Sequence, residues 1–157
     1  MRKYLIIIVA LVSILSGCKG YRDISIGNIE LEKFKLTSAS KVDVVIGVDV
    51  FNPTKANFTL TNVDGVLFRN DVPFANLSLL KDVYIPTLHN GKALVNCRIE
   101  LLDPMAVLVM GLNIKSWNMD EFRIKLKATV KKGAFKKSFK INNIPLDKVI
   151  KKIKLTR

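Results

Sequence analysis

Val42, Val44, Ile46, Val48 and Val50 alternate without a break with Asp43, Val45, Gly47 and Asp49. Successive side chains of an extended strand point to opposite faces, so one face of this segment is purely β-branched and the other carries two carboxylates. A helix would scatter the same residues around its axis. The run ends in Phe51-Asn52-Pro53-Thr54, where Pro53 removes a ladder donor. A chain organised around such a strand must bring up a second apolar surface to cover it.

The flanking sequence supplies that surface as more strands. Ile24, Ile26, Ile29, Leu31, Phe34 and Leu36 predict a long first strand broken near Gly27-Asn28. Runs 58–68 and 72–80 flank the polar turn Arg69-Asn70-Asp71 and predict a hairpin. A short strand is expected over 83–86, a turn at His89-Asn90-Gly91 and a strand over 93–102. Asp103-Pro104 is a helix start, because Asp caps free N–H groups and Pro fits the first helical position. One short buried helix is therefore expected over Met105–Met110, ended by Gly111. Phe122, Ile124 and Leu126 alternate with Arg123, Lys125 and Lys127; Lys131-Lys132-Gly133 turns the chain, and Phe135, Phe139 and Ile141 return it. Asn142-Asn143 and Pro145 close the sheet. The expected fold is all-β: an immunoglobulin-like antiparallel β-sandwich of about seven strands, with one short crossing helix and a C-terminal amphipathic helix.

The N-terminus reads differently. Arg2 and Lys3 precede an apolar run from Tyr4 to Leu15 interrupted only by Ser13, followed by Leu15-Ser16-Gly17-Cys18. A basic start and an apolar run of this length form a secretory signal. As a helix the run measures only about 18 Å against roughly 30 Å of hydrocarbon, so a permanent span is the weaker reading. A plain signal peptide is the other alternative. The last four residues resemble the lipobox of bacterial lipoproteins, Leu-(Ala/Ser)-(Gly/Ala)-Cys, at every position. That resemblance implies cleavage before Cys18 and a diacylglyceryl thioether on its sulfur, usually with a third acyl chain such as palmitate on the new amino group. More than one chain is what stable anchoring requires. The expected organisation is a lipoprotein signal peptide over 1–17, a lipidated tether over 18–23, the sandwich over 24–145 and a basic amphipathic tail over 146–157. Processing would leave 140 residues, one domain's worth.

Cys97 is then without an intrachain partner. It shares an alternating face with Val95, Ile99 and Leu101, which suits a small apolar core residue; a reactive thiol or intermolecular bridge is the alternative.

With the elements laid out, the mature domain resembles the late-embryogenesis-abundant type 2 family, also called the water-stress and hypersensitive-response domain. The residues that carry the likeness are Val44-x-Ile46-x-Val48-x-Val50-Phe51-Asn52-Pro53, an alternating strand running into an Asn-Pro pair. The hairpin through Phe58-Thr59-Leu60, Val66-x-Phe68 and Val72-Pro73-Phe74-Ala75 follows in the family's order. So do Ile85-Pro86, the strand over 93–102 and the helix at Pro104–Leu112. The likeness covers roughly 24–142, and Asn52-Pro53 is its one sharp motif. It implies an immunoglobulin-like sandwich without catalytic residues, a link to desiccation and stress protection, and, for some related domains, lipid holding.

The chemistry of enzymes is sparsely represented. The single histidine, His89, has no cysteine or carboxylate beside it, which makes it a poor metal ligand and a poor catalytic base. Asp120-Glu121, the densest acidic pair, would point opposite ways on a strand. Asp43 and Asp49 lie on a solvated face. No phosphate-binding glycine pattern occurs. No enzyme activity, cofactor or metal is expected.

Charge is the informative feature. Residues 1–122 hold 13 basic and 12 acidic side chains, whereas 123–157 hold 13 basic ones and a single acid, Asp147. Leu146, Val149, Ile150 and Ile153 follow helical spacing, with Lys148, Lys151, Lys152 and Lys154 on other sides. The tail either lies on an anionic membrane, each lysine adding about 1 kcal/mol, or packs its apolar stripe on its own domain. Nucleic acid is not an expected partner, because no aromatic stacking pattern accompanies the lysines.

The sequence thus predicts a membrane-tethered, non-enzymatic β-sandwich of the cell envelope, binding or stress-protective in role. Lys19 after the lipidated cysteine fits delivery to the outer membrane, periplasmic side, in a Gram-negative cell. Two other classes stand beside this: an apolar-ligand carrier using Met105–Met110 to line a pocket, and an assembly subunit docking an envelope protein through a sheet edge. Replacing Lys148, Lys151, Lys152 and Lys154 with Gln is expected to lower co-sedimentation of the unlipidated domain with anionic vesicles. Unchanged co-sedimentation would leave the tail as a stripe packed on its own domain.

Overall fold

The computed structural model describes residues 23–111, 113 and 116–148. The signal segment, Cys18, Lys151, Lys152 and Lys154 lie outside them. The elements are β1 (Ser25–Leu36), β2 (Lys41–Asn52), β3 (Phe58–Arg69), β4 (Val72–Leu79), β5 (Val83–Ile85), β6 (His89–Leu101), α1 (Pro104–Met110), β7 (Phe122–Lys132) and β8 (Phe135–Pro145). Among the described residues there are eight strands rather than about seven, all paired antiparallel. Leu146–Lys148 are helical, and the rest of the expected C-terminal helix is outside the described residues.

The strands form one ladder in the order β1-β2-β6-β4-β3-β7-β8, with β5 added to β3. It folds into two layers, β1-β2-β6 and β3-β7-β8. β4 joins them, because Asn76, Leu77 and Ser78 pair with β3 on one side and with β6 on the other. The result is an all-β sandwich joined along one side. On the opposite side, β1 and β8 are the two ends of the ladder.

Local chemistry explains most elements. The β3–β4 hairpin turns on Asn70 and Asp71, both at positive φ, the conformation a two-residue hairpin turn requires. The Gly27-Asn28 break is a bulge: the register of β1 on β2 shifts between Ile26 and Ile29, and the strand continues. The turn expected at His89-Asn90-Gly91 is displaced. Those residues pair with Asn52, Phe51 and Val50, and Leu88 takes the positive φ instead. The long β2 offers ladder partners as far as Asn52, so β6 extends backwards to meet them.

The aromatic part of the core lies at the α1 end. Phe74, Ala75 and Phe122 form its centre, with Trp117 stacked on Phe122 at 5.7 Å and edge-on to Phe74 at 6.0 Å. The Trp117 indole N–H donates to the Gly111 carbonyl at 2.8 Å. Asp103 caps α1 by accepting from the Ala106 N–H at 3.1 Å. The helix is not buried as expected. Ala106, Val107 and Met110 pack on the core, while Met105, Leu108 and Val109 face outward, Val109 at 85% exposure. Seven residues make barely two turns lying across one end of a sandwich, so only one side can be covered.

Asn52 explains the Asn-Pro motif. Its side chain is fully buried. The amide N–H groups donate to the carbonyls of Ala56 at 2.8 Å and Pro86 at 2.7 Å; its oxygen accepts from the Thr54 N–H at 3.1 Å and the Thr54 hydroxyl at 2.7 Å. One side chain thereby ties the β2–β3 loop to the β5–β6 loop. Asn52→Ala removes four hydrogen bonds made from a fully buried position and is expected to cost about 3 kcal/mol. Asn52→Asp should be at least as harmful, because a carboxylate cannot donate to the two carbonyls. Urea denaturation followed by Trp117 fluorescence checks both.

Candidate functional site

At the end of the sandwich away from α1 the layers meet through Val50, Val83 and Ala93 but part toward Ile26 and Phe139. The space between them is a cleft of about 380 Å³. Its walls come from Ile24 and Ile26, Val48 and Val50 of β2, Phe58, Leu60 and Val63 of β3, Val83 and Ile85 of β5, Ala93 and Val95 of β6, Ala128 and Val130 of β7, and Phe139 of β8. Every one is apolar. A larger groove of about 510 Å³ lies on the outer face against Asp64, Glu100, Lys125, Lys127 and Lys140, but it is a shallow surface of mixed polarity. An enclosing wall of uniform chemistry makes the cleft the candidate site.

The cleft exists because of which residues the strands present there. On β7 the inward positions run Phe122, Ile124, Leu126, Ala128 and Val130, so side-chain bulk shrinks toward the cleft at Ala128. Ala93 does the same on β6. At the open side Ile26 is 59% exposed and Phe139 40%. The inward face of β1 continues uncovered through Leu31, Phe34 and Leu36, which pair with the inward residues Ile46, Val44 and Val42 of β2.

Two cations share the inward face. Lys132 has the parity of Val130 and Ala128, and its ammonium lies 5.8 Å from the centroid of the Phe58 ring. Lys137 is paired with Val130, has the parity of Phe139, and places its ammonium 5.4 Å from the Phe139 centroid. Both rings line the cleft. Sequence reading placed Lys132 in a turn and gave Lys137 no role. The available signal was strand parity: each lysine falls where alternation calls for an apolar residue.

The other sequence candidates sit elsewhere. Asn52 is the buried link between loops, and Pro53 follows it out of β2. Lys148 is exposed at the opposite end, where Leu146 packs on the Phe74–Phe122 cluster. No part of Met105–Met110 lines the cleft, which corrects the expected pocket; α1 is at the wrong end. His89 lies in β6 rather than in a turn. Asp120 and Glu121 are in a 3-10 turn, not a strand, and Glu121 accepts from the Arg69 guanidinium at 2.8 Å. Asp43 takes a two-pronged contact from Arg98 at 2.7 and 2.9 Å, which holds its carboxyl below the usual range. Among the described residues no His/Cys/Asp/Glu group could hold a metal, and no helix is long and apolar enough to cross a membrane.

No family model matches the chain, and no curated protein does. Solved structures match it at low similarity. A protein from Archaeoglobus fulgidus is 12% identical with a TM-score of 0.48, covering 76% of this chain and 98% of that one. The GAE domain of yeast GGA1 is 15% identical with a TM-score of 0.36, covering 78% and 98%. A β-glucuronidase of glycoside hydrolase family 2 is 14% identical with a TM-score of 0.37; the match covers 72% of this chain but 10% of that enzyme. Likenesses this distant say nothing of function.

Cys97 packs with Val42 and Val44 and is 3% exposed, and burial raises its thiol above the ordinary range. Thiol labelling of the folded protein at pH 8 is therefore expected to be at least roughly a hundredfold slower than in denaturant, since reaction needs both exposure and thiolate. The raised value also means that this site's contribution to stability is full below the unfolded thiol's pKa and declines as pH rises through the folded one. Rapid labelling without denaturant would place Cys97 outside the core.

Proposed function

We propose that this chain is a lipid-anchored envelope lipoprotein whose sandwich, of the late-embryogenesis-abundant type 2 kind, binds the acyl chain of a lipid rather than catalysing a reaction. The cleft carries the reading. Fourteen apolar side chains enclose it without a polar group among them. An open apolar surface of this kind is unfavourable in water, at about 25 cal/mol per Å², and an apolar ligand removes that cost.

The lipobox supports the same reading through covalent geometry. Five residues, making six Cα–Cα steps, separate Cys18 from Ile24, which is itself in the cleft wall. Even fully extended they reach at most about 22 Å. A lipid on Cys18 would therefore keep the cleft within that distance of a bilayer, on the periplasmic side of an outer membrane if Lys19 directs delivery there. Stress protection by holding displaced chains is consistent with this placement.

The uncovered β1 face favours one further reading, docking of an envelope protein along that edge. Leu31 and Phe34 are each 64% exposed, and among the described residues the strand's outer ladder is unpaired.

The test uses the full-length protein purified from its membrane. Mass spectrometry should find diacylglyceryl on Cys18 and a stoichiometric co-purified lipid. Ala128→Trp fills the cleft and is expected to lower that lipid roughly tenfold, the effect of about 1.4 kcal/mol. An unmodified Cys18 would remove the anchor; lipid absent, or unchanged in Ala128→Trp, would remove the cleft. Cross-linking in cells that recovers one dominant partner through β1 would favour docking instead.

A further inference from the structure

Deepening that reading and resting on it, we propose that the cleft takes one single acyl chain ending in an anionic head, and that Lys132 and Lys137 hold the head. Volume argues for one chain. At roughly 30 Å³ per methylene, near the share of a molecule in liquid water, the 380 Å³ cleft holds about a dozen carbons. That suits one fatty-acid-sized chain and is too little for two.

Charge and position argue for the head. β7 and β8 turn between Lys132 and Phe135, and the strand pair carries four lysines beside that turn. Lys131 and Lys136 are directly paired and face outward. Lys132 and Lys137 face inward, diagonal neighbours on the ladder, at a Cα separation of about 7–8 Å. Each ammonium lies against an aromatic ring of the cleft wall, 5.8 Å from Phe58 and 5.4 Å from Phe139. A chain lying between the layers would reach these two cations where it leaves the apolar region. A carboxylate or phosphate bridging both would gain charge-assisted hydrogen bonds partly shielded from water.

The experiment uses the full-length protein in phosphatidylcholine nanodiscs, labelled with a diazirine analogue of palmitic acid and competed with palmitate or methyl palmitate. The two competitors share a chain and differ only in charge. In the wild type, palmitate is expected to compete about tenfold better, with the label on cleft residues. Lys132→Gln/Lys137→Gln should bring the competitors to parity with the label sites unchanged. Lys132→Arg/Lys137→Arg should keep the preference. Lys131→Gln/Lys136→Gln, which removes equal charge from the outer face, should keep it too. Equal competition in the wild type, a preference that survives Lys132→Gln/Lys137→Gln, or one lost equally in the outer-face variant would overturn the head-group assignment while leaving the cleft intact. The absence of saturable labelling in the cleft would instead overturn the chain-binding reading on which it rests.

Discussion

A β-ladder that runs from β1 to β8 without joining its ends governs the rest of the molecule. β4 and β5 hold the layers together along one side, so inward residues there are buried. Along the other side nothing forces β1 and β8 together. Both carry bulges, between Ile26 and Ile29 and between Leu31 and Lys33 on β1, and opposite Ile124 and Leu126 on β8. Bulges bend and twist an edge out of the plane in which another strand could pair with it. Lys33, Lys35, Lys136 and Lys140 add charge to the same edges. The features that discourage strand addition also keep the sandwich from closing, and a cleft is the geometric consequence.

The two ends of the sandwich divide the work of stability and of binding. At the α1 end, three aromatic rings at 5.4 to 6.0 Å fill the space between the layers. Interdigitated packing of this kind fills the interior between the layers at that end. At the other end Ala93 and Ala128 stand where larger side chains would have filled the gap. What fixes the loops there is polar rather than apolar: the four hydrogen bonds of Asn52. A fully satisfied buried amide holds two loops in register without occupying the cleft, which packing by a large apolar residue would not achieve.

How far this was legible in the sequence follows from how local each feature is. The alternation of 42–50 leaves one extended solution, and Arg69-Asn70-Asp71 and Asp103-Pro104 are turn and cap signals whose chemistry acts within four residues. The burial of α1 was misjudged because an unbroken apolar run does not say how much of it a partner layer will cover. The displaced turn before His89 depended on the length of β2, forty residues earlier in the chain. The cleft was beyond reach for the same reason: it is set by where two layers part. Its cations were not beyond reach. Lys132 and Lys137 break the apolar parity of their strands, and a lysine on an inward face needs either a snorkelling route to water or an anion.

Direction adds a constraint that composition conceals. β7 runs from Phe122 in the aromatic core to Lys132 at the cleft, about 33 Å at 3.3 Å per residue. The tail begins beside Phe122, where Leu146 packs, whereas the tether to Cys18 leaves from Ile24 in the cleft wall. With the domain upright on a Cys18 anchor, the cleft would face the bilayer and Lys148 would face away. Lys148 would meet the anchoring bilayer only with the sheet lying on its side, an orientation in which the outward row of Arg123, Lys125, Lys127, Lys131, Lys136 and Lys140 would also touch it. Among the described residues the positive charge of β7 and β8 therefore forms two separate surfaces, an inward pair at the cleft and an outward row. Only the inward pair is placed where a chain held between the layers would end.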